Sequence, residues 1–429
     1  PVQLMARDVL IAARLQIGQE DGLLDDCDAL IGLQPERAAS FALRAAVRRS
    51  AGDAAGALGD CDTALGLNPS EISALLLRSK IRGWTGNLIG AMADAEIACR
   101  LKPEAAEPIA TRAYLHALFS HTEEAERDVQ EAFRRDPEEP MALVTSAWIA
   151  LARLQPRAAL DAANRAVDLR PALPDPRLVR LRALYRLGRN EEALADADWV
   201  LARTRYVDAA LMRVQLLLAL NRMREAAEEA GRMVREWPGS ALPWYARAIA
   251  RRALRDEGWL EDLEAALAAD PRMERALETR TLGLIEDGRL EEALKSADAG
   301  IAAEPMSGLL RVARARARVQ VKDRAGALED LGEALKLAPW LELDVRCRRA
   351  GILLDMGSAD GAADELIAAL RIDARDVESW RLLGEARKAL GNPKGAEEAW
   401  RKVLEFAGES DPRRALAERG IRELGGGGK

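Results

Sequence analysis

The chain has 429 residues, 31% of them charged, 49% hydrophobic and only 4% aromatic, and its 63 basic and 70 acidic side chains leave a net charge of −7. The near balance of sign argues against a nucleic-acid-binding chain, which carries a clear basic excess, and no apolar run reaches the roughly 18–20 residues that span a bilayer. Four cysteines, Cys27, Cys61, Cys99 and Cys347, show no Cys-x-x-Cys spacing, so no zinc or redox motif is indicated and a reducing, cytoplasmic compartment is expected.

Along the chain one period dominates. Prolines stand at Pro35, Pro69, Pro103, Pro137 and Pro171, each 34 residues after the last, and resume at Pro238, Pro271, Pro305 and Pro339. Alanines form a second ladder, Ala57, Ala91, Ala125, Ala159, Ala193 and Ala227, which continues after one irregular unit as Ala293, Ala327, Ala362 and Ala396. Two ladders of one period mark a repeat array. Each unit reads as a helix, a short Gly/Asp/Asn turn and a second helix, as in Leu187-Gly188-Arg189-Asn190-Glu191-Glu192-Ala193. Glycine ends the first helix in a left-handed conformation, and the acidic pair favours the positive N-terminus of the second. The closing proline cannot continue a helix, and the ladder alanines fit where two helices cross closely.

The predicted order is a degenerate first repeat over 1–37, regular repeats 2–7 over 38–239, an irregular repeat 8 over 240–273, regular repeats 9–12 over 274–408, a capping helix over 409–424 and a flexible tail or linker over 425–429. In repeat 8 the large Trp259 falls near the small-residue slot, which predicts altered packing. The opening Pro1-Val2-Gln3 lacks an initiator Met, and the closing glycines have linker composition; both fit a piece of a longer protein.

The pattern resembles the tetratricopeptide repeat, a 34-residue helix-turn-helix, most closely over Trp380, Leu383-Gly384, Gly391, Ala396, Trp400 and Val403. The resemblance implies an all-α fold, a right-handed α-α superhelix of about twelve helix-turn-helix repeats with a C-terminal capping helix. It also implies that the first helices line a concave face on which partner segments bind.

With Ala38 as position 1 of repeat 2, Asp60, Asp94, Asp128, Asp196 and Asp330 all occupy position 23, and Arg44, Arg78, Arg112, Arg180 and Arg314 occupy position 7 of the same units. Repeats 5, 7 and 12 lack both, having Ser146/Ala162, Val214/Ala230 and Leu383/Ala399, so the two are kept or lost together; Leu10/Asp26 and Arg280/Ser296 break the rule. Losing one partner of a buried pair strands a charge, whereas losing both is tolerated, so an ion pair within each repeat is expected. Asp196-Ala197-Asp198-Trp199, which has the look of a cation and stacking site, is thereby read as structure, with Asp198 an exposed charge and Trp199 packed between repeats.

His116 and His121, the only histidines, cannot assemble a triad or a metal set, and the cysteines at equivalent positions of successive repeats are too far apart for a disulfide. No phosphate loop appears, so no enzyme active site, no metal and no cofactor are expected.

Family geometry assigns the inner face to positions 2, 5, 9, 12 and 13. In repeats 3 to 7 that face is unusually apolar: Leu76 and Trp84, Tyr114 and Leu118, Val144, Trp148 and Leu151, Leu178 and Tyr185, Met212 and Leu216, with Lys80, Arg182 and Arg186 among them. Aromatics beside arginines are the composition of binding hot spots, and in this chain aromatics are scarce. The carboxylate clamp of chaperone cochaperones needs Lys and Asn at positions 5 and 9, where Asp8/Ala12, Ala42/Ala46, Leu76/Lys80 and Ala110/Tyr114 stand, so chaperone C-termini are not expected partners. The C-terminal half carries a more charged inner face, with Glu278, Arg316, Asp344, Asp355, Arg381, Glu385 and Lys388. The expected function is a non-catalytic scaffold holding a protein or peptide segment in the groove of repeats 3–8. The alternative is the regulatory arm of a multidomain kinase, protease or nuclease, and an RNA reader built of related 35-residue repeats is disfavoured by the period and the charge.

Overall fold

The computed structural model describes the backbone of residues 2–16, 21–409 and 411–425, with side chains from Asp8 onward. The predicted tail therefore lies, from residue 426 on, outside the described residues. Among the described residues there are twenty-five α-helices and no strand, and no helix is long and apolar enough to cross a membrane. The chain divides into two compact units, Pro1–Pro238 and Gly239–Lys429. The first contains fourteen helices in seven antiparallel pairs; the second contains five further pairs and a final helix, Pro412–Gly425.

Each pair forms for the same local reasons. The first helix typically has 13 residues and the second 14, as in Ala38–Ser50 and Ala54–Leu67. A residue with positive φ separates the two helices in all twelve pairs. Seven are glycines, among them Gly52, Gly188 and Gly391; the other five are Ser120, Leu154, Asn221, Arg255 and Lys322. Asp53, Asn87, Asp323 and Asn392 then cap the second helix by accepting from the N–H three residues on, at 2.8–3.0 Å. The acceptor of that N–H bond sits so close to the backbone of Gly56 that a Cβ there would stand 2.0 Å from Asp53 Oδ2. The ladder alanines from Ala57 to Ala396 are fully buried at the helix crossings, apart from Ala227 in a repeat whose crossing falls one residue earlier, at Ala226.

The repeats are tied by a charge ladder. Arg44, Arg78, Arg112, Arg180 and Arg314 each grip the position-23 aspartate of their own repeat through two N–H···O bonds of 2.5–2.9 Å. Asp60, Asp94, Asp196 and Asp330 are 2–3% exposed, and Asp60, Asp94 and Asp330 receive a second guanidinium one turn further along, from Arg48, Arg82 and Arg318 at 2.8–3.0 Å. The joint-loss rule needs correction. Repeat 7 keeps its pair displaced by one residue, Arg213 Nη1 to Glu229 at 2.8 Å, and repeats 8 and 11 hold Arg247–Asp262 at 2.6 Å and Arg349–Glu365 at 2.7 Å. In repeat 9 two hydroxyls replace the ions, Thr281 against Ser296 at 3.2 Å.

The irregular repeat 8 compensates for its tryptophan in the following unit. Trp259 is 6% exposed, and a Cβ on Gly283 would lie 2.4 Å from its ring. At the C-terminal end, Trp400 fills the space against Gly384 and Gly420, and Arg414 donates to the carbonyls of Leu404 and Ala407 at 2.6 and 2.9 Å. Those carbonyls end the preceding helix, which is why Pro412–Gly425 can close the array.

Candidate partner-binding site

Asp196-Ala197-Asp198-Trp199 shows how completely the ladder consumes its side chains. Asp196 accepts from Arg180 and, at 3.1 Å, from Arg177; Asp198 accepts from Arg213 Nε of the next repeat at 2.6 Å. Asp198 is therefore exposed yet paired. The same Asp-x-Asp spacing recurs at Asp26/Asp28 and Asp60/Asp62, whose second members bond Arg44 and Arg78 of the next repeat at 2.6 and 2.7 Å. Trp199 is sandwiched by the guanidinia of Arg177 and Arg203, each 4.2 Å from the ring centre. Both carboxylates are already committed to arginines, which accounts for the motif without a cation. Buried Cys27 and Cys61 are free thiols, pushed up to about 11 and about 12 by burial, so neither forms thiolate near neutral pH.

The inner-face residues part into three groups. Leu76, Met212 and Leu216 are buried between helices and present no surface, which corrects their expected place in the groove: first helices pack against their neighbours at positions 5 and 9 as well as facing inward. Leu151, Tyr185 and Arg186 are half-buried or exposed and lie outside the cavities of this unit. The rest come together. Trp84, Tyr114, Leu118, Val144, Trp148, Leu178 and Arg182, drawn from repeats 3 to 6, line a cavity of about 440 Å³ within the first unit. Lys80 lines a second cavity of about 330 Å³ with Glu107 and Glu139, and Val144 faces both. Burial raises the Glu139 carboxyl.

The larger cavity is held by polar contacts between repeats. Trp84 Nε1 donates to the Tyr114 hydroxyl at 2.6 Å, which leaves the Tyr114 O–H as a donor; burial pushes that hydroxyl up to about 12, so it is protonated at neutral pH. Arg182 lies over the Trp148 ring at 4.9 Å and Arg49 over the Trp84 ring at 5.3 Å. Arg49 also stands 3.8 Å from Asp175, and its Nη1 is buried without a hydrogen-bond partner. The far wall is the segment that enters repeat 7: Tyr206 meets Trp84 edge to face, centroids 6.0 Å apart, and the Arg205 side chain reaches Gly52 in the turn of repeat 2.

Sequence reasoning missed Arg49, Asp175, Arg205 and Tyr206. Asp175 and Arg49 do stand at inner-face positions, but one is not apolar and the other belongs to repeat 2, outside the stretch chosen for its apolar face. Arg205 and Tyr206 precede the helix Val207–Ala219 and have no place in a numbering of helical positions. Their only signal was an aromatic residue in a connection that lacks the usual proline.

Comparison with known proteins agrees with this architecture. The family profile described as Tetratricopeptide repeat matches residues 178–241 and 347–412. A TPR repeat-containing protein of Pseudomonas aeruginosa is 37% identical over 65 residues, which are 15% of this chain and 62% of that relative, so the chain spans under two thirds of the relative it matches. The crystal structure of yeast Tom70 superposes with a TM-score of 0.56 at 13% identity, covering 98% of this chain and 96% of that one, a likeness of fold alone. The fold class is accordingly all-α, an α-α superhelix.

Proposed function

Since the chain belongs to the tetratricopeptide-repeat family, we propose that it is a non-catalytic scaffold whose first unit holds a segment of a partner protein on the inner face of its first helices. The observation that carries this reading is the cavity of about 440 Å³ walled by Trp84, Tyr114, Trp148 and Tyr206, side chains from four separate repeats in a chain that is 4% aromatic. Binding sites of a few hundred Å³ are lined by apolar and aromatic groups with a few convergent polar ones. The Tyr114 hydroxyl, Asp175 and Arg182 supply the polar groups here. Aromatic side chains bury large areas at little entropic cost, so an anchor residue entering this cavity would provide most of the binding energy.

The test is a selection of random displayed peptides on the full chain, followed by fluorescence anisotropy with the enriched sequences. Trp148→Ala is expected to weaken them roughly tenfold to a hundredfold, the size of a hot-spot truncation. Equal affinity for wild type and Trp148→Ala, with both helical by circular dichroism, would rule out this groove.

A further inference from the structure

Two features of the same cavity narrow the kind of partner, an inference that rests on the groove reading above. The first is what already sits there. The segment entering repeat 7 lies across the channel of the first unit, with Tyr206 edge-on to Trp84 at 6.0 Å and 71° and with Arg205 against Gly52. The chain thus shows that an aromatic ring suits the Trp84 wall, since a ring edge meets a ring face favourably. Beside Tyr206 about 440 Å³ stays open, room for another side chain of that size.

The second feature is charge. Arg49 and Asp175, 3.8 Å apart, offset each other. What is left at the rim is Arg182 and Arg205 in the lining and Arg186 one turn beyond Arg182 on the same helix, against the single carboxylate of Asp208. Arg186 and Arg205 are exposed and have no carboxylate within 4.0 Å among the described residues, whereas Arg44, Arg78, Arg180 and Arg213 of the same unit all do. In a chain where arginines are paired so systematically, this local cationic excess beside the aromatic cavity is complementary to an acidic ligand.

We propose that the cavity receives one aromatic side chain of an acidic partner segment. The ring enters beside Tyr206, and the carboxylates that flank it in the partner meet Arg182, Arg186 and Arg205. Such carboxylates would act on rate of association and on choice of partner, while the ring supplies the anchor.

The experiment uses the full chain and the displayed peptides selected on it. Enriched peptides are expected to carry an aromatic residue with neighbouring Asp or Glu. Replacing that aromatic residue by Ala, or the acids by Lys, should each weaken binding roughly tenfold or more, and added salt should weaken the acidic peptides selectively. On the protein side Arg186→Glu/Arg205→Glu should give a comparable loss; the changes made in the peptide keep the test valid should that variant misfold. Peptides that depend on Trp148 but are neutral or basic, or that tolerate loss of their aromatic residue, would overturn this inference and leave the groove reading standing. Binding indifferent to Trp148→Ala would overturn the groove reading itself.

Discussion

Asp196 is 3% exposed and accepts from two arginines, Arg180 through a two-pronged contact and Arg177 at 3.1 Å. Removing Arg180 leaves a buried carboxylate with one weaker partner, so Arg180→Leu should cost about 3 kcal/mol. The double variant Arg180→Leu/Asp196→Leu removes the stranded charge together with its partner, and it should be more stable than Arg180→Leu alone. Hydrogen exchange across the first unit would read both, and a double variant worse than the single would show that the pair contributes more than mutual compensation. This ladder was legible in the sequence because five pairs fall in the same two columns of a 34-residue register. It was illegible in repeat 7, where Arg213 and Glu229 moved one residue together, and in repeat 8, whose shorter second helix brings Asp262 to within 15 residues of Arg247. A column test sees identity at a position, whereas the physical requirement is only that two charges meet across a helix crossing. The aromatic cavity was half legible for a related reason. Trp84, Tyr114 and Trp148 follow the inward period, but Tyr206 reaches the same space from a connection with no period, and which repeat it would face depends on how five repeats stack.

Within a repeat, the turn between helices demands one residue at positive φ. Gly188 has φ 73° with open space around it, so the obstacle to a side chain there is backbone conformation and not room. Gly188→Ala should therefore destabilise by about 1 kcal/mol. Gly351 lies inside the helix Glu342–Asp355, and a Cβ added to it would meet nothing within 4 Å, so Gly351→Ala should stabilise by up to about 1 kcal/mol through helix propensity. Thermal melts of the two variants beside wild type would separate the effects, and a shift of the same sign in both would refute the conformational explanation. The glycines marked seven turns in the sequence. Leu154, Arg255 and Lys322 marked nothing, because tertiary packing of the flanking helices forces them into a conformation their own chemistry disfavours.

Across the whole molecule, a repeat array gains stability from nearest neighbours, so a perturbation should spread only as far as the packed unit that contains it. The period runs through residue 238 without interruption, which is why the division into Pro1–Pro238 and Gly239–Lys429 was not readable from the repeat pattern. Trp400 offers the sharpest test of that division. It is 3% exposed, its ring occupies the space over Gly384 and Gly420, and its indole N–H donates to the Arg381 carbonyl at 3.2 Å. Trp400→Ala opens a cavity facing two glycines that have no side chains to fill it, and should cost about 3–5 kcal/mol. That loss should appear as faster hydrogen exchange in the final helix and in repeats 9–12, beginning with Pro412–Gly425, whose apolar face rests on the Trp400 cluster. Exchange in Ala38–Ser50 through Met223–Glu236 should stay at the wild-type rate, and peptide binding at the Trp148 cavity should be unchanged. Faster exchange throughout the first unit would mean that the two units unfold as one, and binding at Trp148 would then depend on the capping helix at the other end of the array.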